Sequence, residues 1–133
     1  MNHKGTKDTK KRSDILSNQI IASAIELHKT LGPGLLETVY EQALCYELSQ
    51  RNIPFERQKR LSVAYKDVNL DCSFRLDILV DNLVIVELKA VERMEPLFDA
   101  QLLTYLKLSK LWLGLLLNFN VPVMKKGIRR IVN

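Results

Sequence analysis

Cysteine is scarce in this chain: only Cys45 and Cys72 occur, both in apolar-patterned stretches and without metal-ligand spacing. They read as reduced core thiols of a cytoplasmic protein. Glycine is thin as well. Gly32 and Gly34 are too sparse for a phosphate-cradling loop, and no Walker or dinucleotide fingerprint occurs. Long apolar runs are missing. Leu111 to Leu117, interrupted only by Gly114, is too short to span a bilayer, so no membrane association is expected. The opening MNHKGTKDTKKR has no apolar segment of the kind a signal peptide needs. Neither a Ser/His/Asp nor a Cys/His constellation stands out, and no internal repeat or low-complexity segment is visible.

What is present is ample apolar material, 47% of 133 residues, enough for the core of one domain. The formal charge of +5 is unevenly spread. Residues 1–12 carry +4, residues 125–133 carry +4, and the body between them carries −3. The first dozen residues are therefore expected to form a disordered basic tail ahead of a single domain over 13–133. Such a tail either contacts phosphates or merely solubilises, and composition leaves both open.

Periodicity predicts a helix capped by Ser13, with Ile21, Ala24, Ile25, His28 and Leu31 at helical spacing, stopped by Gly32-Pro33-Gly34. A second helix is expected from about Leu35 to Arg51, closed by Asn52-Ile53-Pro54. From Phe55 the period changes to two. Leu61, Val63 and Tyr65 predict a strand ending at Lys66-Asp67, and Phe74, Leu76, Ile78 and Val80 predict another. A turn near Asp81-Asn82 leads into a strand over Leu83 to Ala90. Pro96 opens a third helix through Leu108. Leu111 to Asn118 reads as a buried strand, and Gly127 to Val132 as a short last one. The order is ααβββαβ(β), an α/β fold with a mixed sheet flanked by helices.

The stretch Arg75-Leu76-Asp77, a turn, then Val86-Glu87-Leu88-Lys89 places two carboxylates and an amine on one hairpin. Glu87 and Lys89 share a strand face, while Val84, Val86, Leu88 and Ala90 fill the other. A carboxylate pair able to hold a divalent metal, beside an ammonium, is equipment for phosphodiester hydrolysis. Ordinary solvated charges on a half-buried strand are the plainer alternative. Register decides between them. A two-residue loop would set Asp77 opposite Val86 and put the carboxylates on opposite faces. A shared site needs a three-residue loop or a bulge, with Asn82 near the left-handed region, so that Asp77 faces Glu87. That shifted register is the one expected.

Other candidates sit nearby. Glu37 begins the second helix seven and eleven residues before Leu44 and Leu48, on an apolar stripe, with Tyr40 one turn along. Helix-start placement at the positive dipole end explains it equally well. Gln101 and Tyr105 share a helix face and suit a phosphate, a water or the lysine, or form a boundary amide and a core tyrosine. Arg75 shares the face of Asp77 and suits a carboxylate or a phosphate. His28 is expected to be a hydrogen-bonded boundary residue rather than a ligand.

The pattern Gly34-x-x-Glu37-x-x-Tyr40, following His28-Lys-Thr-Leu-Gly-Pro, resembles the GxxExxY protein family, a compact branch of the PD-(D/E)xK, restriction-endonuclease-like superfamily. The resemblance runs over about residues 14–133 and includes Phe55-Glu-Arg-Gln-Lys59, Arg75-Leu-Asp77, Glu87-Leu-Lys89, Gln101-x-x-x-Tyr105 and Gly114-Leu-Leu-Leu-Asn-Phe-Asn120. It implies a restriction-endonuclease-like core and a Mg²⁺- or Mn²⁺-dependent nuclease. Asp77, Glu87 and the Leu88 carbonyl would be metal ligands, joined by Glu37 as the helix carboxylate. Lys89 would steer the attacking water. Tyr40, Arg75, Gln101 and Tyr105 would bind or orient substrate. Two positions depart from the pattern: Leu76 stands where the superfamily name has proline, and Phe98 where many members carry histidine. The expected partner is nucleic acid, DNA before RNA, with a homodimer left open. The alternative is a catalytically silent module binding nucleic acid or protein on the same fold.

Overall fold

The computed structural model describes residues 6–70 and 74–133. Helix α1 spans Lys7–Leu31 and α2 spans Glu37–Gln50. Strands β1 (Phe55–Arg60), β2 (Val63–Tyr65), β3 (Val68–Leu70), β4 (Arg75–Val80) and β5 (Val84–Lys89) follow. Helix α3 (Pro96–Ser109) then leads to β6 (Leu113–Asn118), a single 3₁₀ turn (Met124–Gly127) and β7 (Ile128–Val132). Five strands form one mixed sheet in the order β1-β4-β5-β6-β7. Among the described residues only the β5–β6 pair is parallel, joined across α3, as a parallel pair requires. The α/β architecture with flanking helices is thus the one expected from sequence.

Two apolar layers hold the sheet. Helices α1 and α2 pack Ile20, Leu27, Leu44 and Leu48 against Ile78, Val80, Val86, Leu88, Leu115 and Leu117. On the opposite face, Leu102 and Leu106 of α3 meet Leu79, Ile85 and Leu116. Covered on both faces, β6 buries every residue, which is why its sequence is a run rather than an alternation. Gly114 belongs to that packing, because a Cβ there would lie 2.9 Å from a Leu102 methyl. Among the described residues, no helix is long and apolar enough to cross a membrane.

Two sequence expectations change. The first helix begins at Lys7, not after Ser13, so residues 7–12 are helical rather than a disordered tail; residues 1–5 lie outside the described residues. Thr6 is the cap, its hydroxyl accepting from the Thr9 amide at 3.0 Å, and Asp8 favours the positive helix end. Ser13 is buried about two turns inside, its hydroxyl bonded back to the Thr9 carbonyl. Lys10 reaches to 5.5 Å from the Trp112 ring, which fastens the basic segment to the body.

The region after Phe55 also differs. It holds an edge strand and a separate two-stranded hairpin, where one strand was expected. Strand β1 is exposed at nearly every position, so no apolar alternation marks it, and its charges suit a sheet edge. The hairpin turns at Lys66-Asp67, with Lys66 in the left-handed region at φ 54°. Lastly, Cys45 is a buried thiol as expected, pushed up to about 11 chiefly by burial, whereas Cys72 lies outside the described residues.

Candidate active site

Register comes first, because it determines whether Asp77 and Glu87 meet. Strands β4 and β5 pair Val80 with Val84, Leu79 with Ile85 and Ile78 with Val86. The loop is therefore three residues, 81–83, with Asp81 at φ 49° and Asn82 at φ 53°. This is the shifted register, and it sets Asp77 against Glu87.

At that point the ladder stops and side chains take over. The Asp77 amide donates to Glu87 Oε2 at 2.8 Å, and the Leu88 amide donates to Asp77 Oδ2 at 2.8 Å. Each carboxylate thus binds a backbone N–H of the opposing strand. On its other side Asp77 faces Gln58, also where regular pairing lapses between Arg57–Ile78 and Lys59–Leu76. Gln58 holds φ at 50°, strained for a residue with a Cβ. Strand alternation slips here too: Leu76 packs with Leu79 and Ile85, not with Ile78 and Val80. Asp77 therefore stands where the sheet is opened on both flanks.

Burial and repulsion act together on the pair. Glu87 is 7% exposed, and burial first, then the Asp77 carboxylate, push it up to about 8. Asp77 is also raised, chiefly by burial, against the lowering effect of its Leu88 N–H bond. At neutral pH the metal-free pair keeps a proton. Lys89 is half-buried on the same strand face as Glu87, its ammonium 4.4 Å from the centre of the Phe98 ring. The residue standing in the histidine position thus seats the amine by a cation–π contact.

The remaining candidates divide. Tyr105 is buried beside the pair; its hydroxyl is raised by burial and by the charges of Glu87 and Asp77. Gln101 is exposed one turn earlier. Arg75 is exposed at the start of β4, directly opposite Arg60. Glu37 is exposed at the first turn of α2, yet is raised by partial burial and by Asp77, so it borders the site. Tyr40 is not brought to the carboxylates. It is fully buried, stacks on Phe119 at 4.7 Å, donates to the Gly32 carbonyl at 2.6 Å and accepts from the Leu35 amide at 3.1 Å. With its hydroxyl occupied in both roles, it orders the α1–α2 connection and hence the start of the helix that carries Glu37. His28 is buried and bonded to the Phe119 carbonyl at 3.1 Å, a structural role as expected.

Sequence reading missed three residues. The buried acid on the α2 stripe is Glu41, one turn past Glu37. Arg57 forks onto its Oε2 at 3.2 and 2.9 Å, and Gln58 donates to its Oε1 at 2.9 Å. The i+3 and i+7 spacing of Glu41 to Leu44 and Leu48 was the available signal. Gln58 also faces Asp77 across the strands and favours its charged form, so it stands between the two acids. Asn118, buried at the end of β6, clasps the Val91 amide (3.1 Å) and carbonyl (3.0 Å) and so fixes the chain leaving Lys89. Nothing in a lone Asn marks that role.

A metal would find oxygen donors only, as hard divalent cations prefer. Asp77 and Glu87 each commit one oxygen to a backbone N–H, and their mutual repulsion calls for a cation. Among the described residues no group of three His, Cys, Asp or Glu is arranged to hold an ion. Glu37 accordingly does not complete a three-carboxylate cage. Two carboxylates with the other positions left to water fit Mg²⁺, which gives up its water reluctantly.

The family model of the PD-(D/E)XK nuclease superfamily matches residues 14–131. The chain belongs to that superfamily. The match covers α1 from its second turn through β7, hence the whole sheet, and it speaks for the superfamily rather than for the narrower GxxExxY grouping. No curated protein and no solved structure gives a significant match. The mixed sheet accords with a restriction-endonuclease-like fold. Membership points to nuclease-like function, phosphodiesterase chemistry and nucleic-acid binding, and nucleases of this superfamily generally use divalent metal ions.

Proposed function

We propose that this protein is a Mg²⁺- or Mn²⁺-dependent nuclease that hydrolyses phosphodiester bonds in DNA. One observation carries the reading: the three-residue loop brings Asp77 and Glu87 together at an opened point of the sheet, with Lys89 on the Glu87 face. Asp77, Glu87 and the Leu88 carbonyl would hold the cation, with Glu37 reaching it through water. Bound there, a divalent ion supplies a Lewis acid that lowers the pKa of water and neutralises charge on the phosphate. Lys89, as an ammonium, donates to and orients the attacking water. Phe98 and Asn118 hold Lys89 and the chain after it in place, so that little reorganisation accompanies reaction. Tyr105 and Gln101 line the approach and orient the scissile group.

The test is a plasmid and single-strand cleavage assay with Mn²⁺, run beside melting curves. Wild type should cleave and be stabilised by the ion, following mass action above the dissociation constant. Asp77→Ala and Glu87→Ala should lose both effects. Lys89→Ala should lose cleavage and keep most of the stabilisation, since an ammonium is no ligand. That no three-ligand group occurs among the described residues favours one second reading, a silent nucleic-acid-binding module on this fold. DNA binding without cleavage under any divalent ion would select it.

A further inference from the structure

We propose that the β2–β3 hairpin is an arm that handles unpaired nucleic acid, taking a base on Tyr65 while Arg60 and Arg75 at its root hold phosphates further along the same strand. The inference rests on the nuclease reading and names the form of substrate. The hairpin grows out of the two strands that carry Gln58 and Asp77. Its root is closed by the Leu61 amide donating to the Phe74 carbonyl at 3.0 Å, and beyond that point β2 and β3 pair only with each other. Apolar side chains on it face water: Tyr65 and Val68, paired across the turn, are each 57% exposed, and Leu70 is exposed too. A short two-stranded element gains little by displaying such residues unless they meet a partner.

Charge and aromatic placement say which partner. Arg60 and Arg75 stand directly opposite each other, a cross-strand repulsion that an anion would relieve. Among the described residues neither makes an ion pair, whereas Arg57 and Lys59 of the same strand are engaged by Glu41 and Glu56. At the tip, Lys66 lies 5.4 Å from the Tyr65 ring, so a cation already accompanies the exposed aromatic. A basic root below an exposed ring is the combination that binds single strands, phosphates to the cations and bases to the ring. The arm is also connected to the chemistry. Phe74, partly exposed at the root, has its ring 6.0 Å from that of Tyr105, whose hydroxyl feels the charges of Glu87 and Asp77. A strand crossing the exposed Phe74, which packs on the buried Tyr105, therefore leads from the carboxylates to the arm.

The experiment is fluorescence anisotropy with a labelled oligothymidylate and a blunt duplex, without divalent metal, on wild type, Tyr65→Ala, Tyr65→Phe and Arg60→Ala/Arg75→Ala. Tyr65→Ala should weaken oligothymidylate binding about 5- to 100-fold, with little change on the duplex, and Tyr65→Phe should restore it. The double arginine variant should flatten the salt dependence by a slope of about one to two. Unchanged melting of each variant shows that the fold is intact. Oligothymidylate binding equal to wild type in Tyr65→Ala overturns the proposal. So does a dimer-to-monomer change in sedimentation on that substitution, which would give the face to a second copy of the chain. Failure here is separable from failure of the nuclease reading, because cleavage abolished by Asp77→Ala tests the latter alone.

Discussion

Replacing Glu87 by Gln should make the metal-free protein more stable, and only above acidic pH. The carboxyl ionises near 4.5 in an unfolded chain and near 8 in the folded protein. Between those values the native state holds a proton that the unfolded state has released, so stability falls as pH rises. The loss is absent below about pH 4.5 and complete above about pH 8. A displacement of that size corresponds to a few kcal/mol, to order of magnitude. For a chain of this length that is roughly 10 °C in melting temperature. The amide oxygen of Gln can still accept the Asp77 N–H that Glu87 Oε2 accepts at 2.8 Å, so the substitution removes charge and keeps the bond. The assay is thermal melting by circular dichroism in EDTA, from about pH 4 to about pH 9, on wild type and E87Q. The curves should coincide at the acid end and separate as pH rises, E87Q above wild type. Parallel curves, or an E87Q protein that is less stable at alkaline pH, would refute the account of a buried, mutually repelling pair.

Mn²⁺ should stabilise wild type more as pH rises, because its ligands bind deprotonated; titrating the ion at two pH values checks this, and E87Q should show little response. Tyr40→Phe should cost about 1–3 kcal/mol in urea unfolding, since the Gly32 carbonyl and Leu35 amide lose their shared partner. Gly127→Ala should destabilise by at least about 3 kcal/mol or prevent folding, because its Cβ would lie 2.0 Å from the Asn118 carbonyl oxygen. Cys45 should resist thiol reagents at pH 8 until the protein is unfolded, its thiol being buried and raised to about 11.

The sheet's core was legible in sequence because its strands are strongly patterned: Ile78 and Val80, then Val84, Val86 and Leu88, announce one buried face each. The shifted register was legible for a chemical reason, since a two-residue loop keeps Asp77 from meeting Glu87 and a three-residue loop or a bulge is needed. Edge elements were not. Strand β1 exposes nearly all its side chains, so periodicity has nothing to report there, and the β2–β3 hairpin was absorbed into a single strand. Helix α1 was begun too late because Lys and Arg were read as disorder, although Thr6 caps it and Lys10 reaches Trp112. The carboxylate expected on the α2 stripe was placed one turn early. The chain enters α2 at Glu37, so the first turn projects beyond the packed face, and Glu41 takes the buried position. Gln58 was invisible as a site residue, because its role comes from a left-handed backbone opposite Asp77, not from its identity.

The site and the sheet compete for the same backbone groups, and that competition explains the geometry. In a regular hairpin Leu88 would bond the main chain of Leu76, and Asp77 and Glu87 would form the pair between bonded positions, their carboxylates free to move. Here the ladder ends at Ile78–Val86, and the carboxylates satisfy the Asp77 and Leu88 amides instead. The Asp77 and Leu88 amides keep acceptors despite the opening, which limits what the sheet loses. Each acid is anchored through one oxygen to rigid backbone, and its second oxygen is directed by the opposing strand rather than by a flexible side chain. The strain appears nearby, in the left-handed Gln58, where the neighbouring strand bends around Asp77 and its amide bridges to Glu41. Removing that amide should loosen Asp77 without touching any group that meets substrate. The opening in the sheet is therefore what holds the carboxylates still.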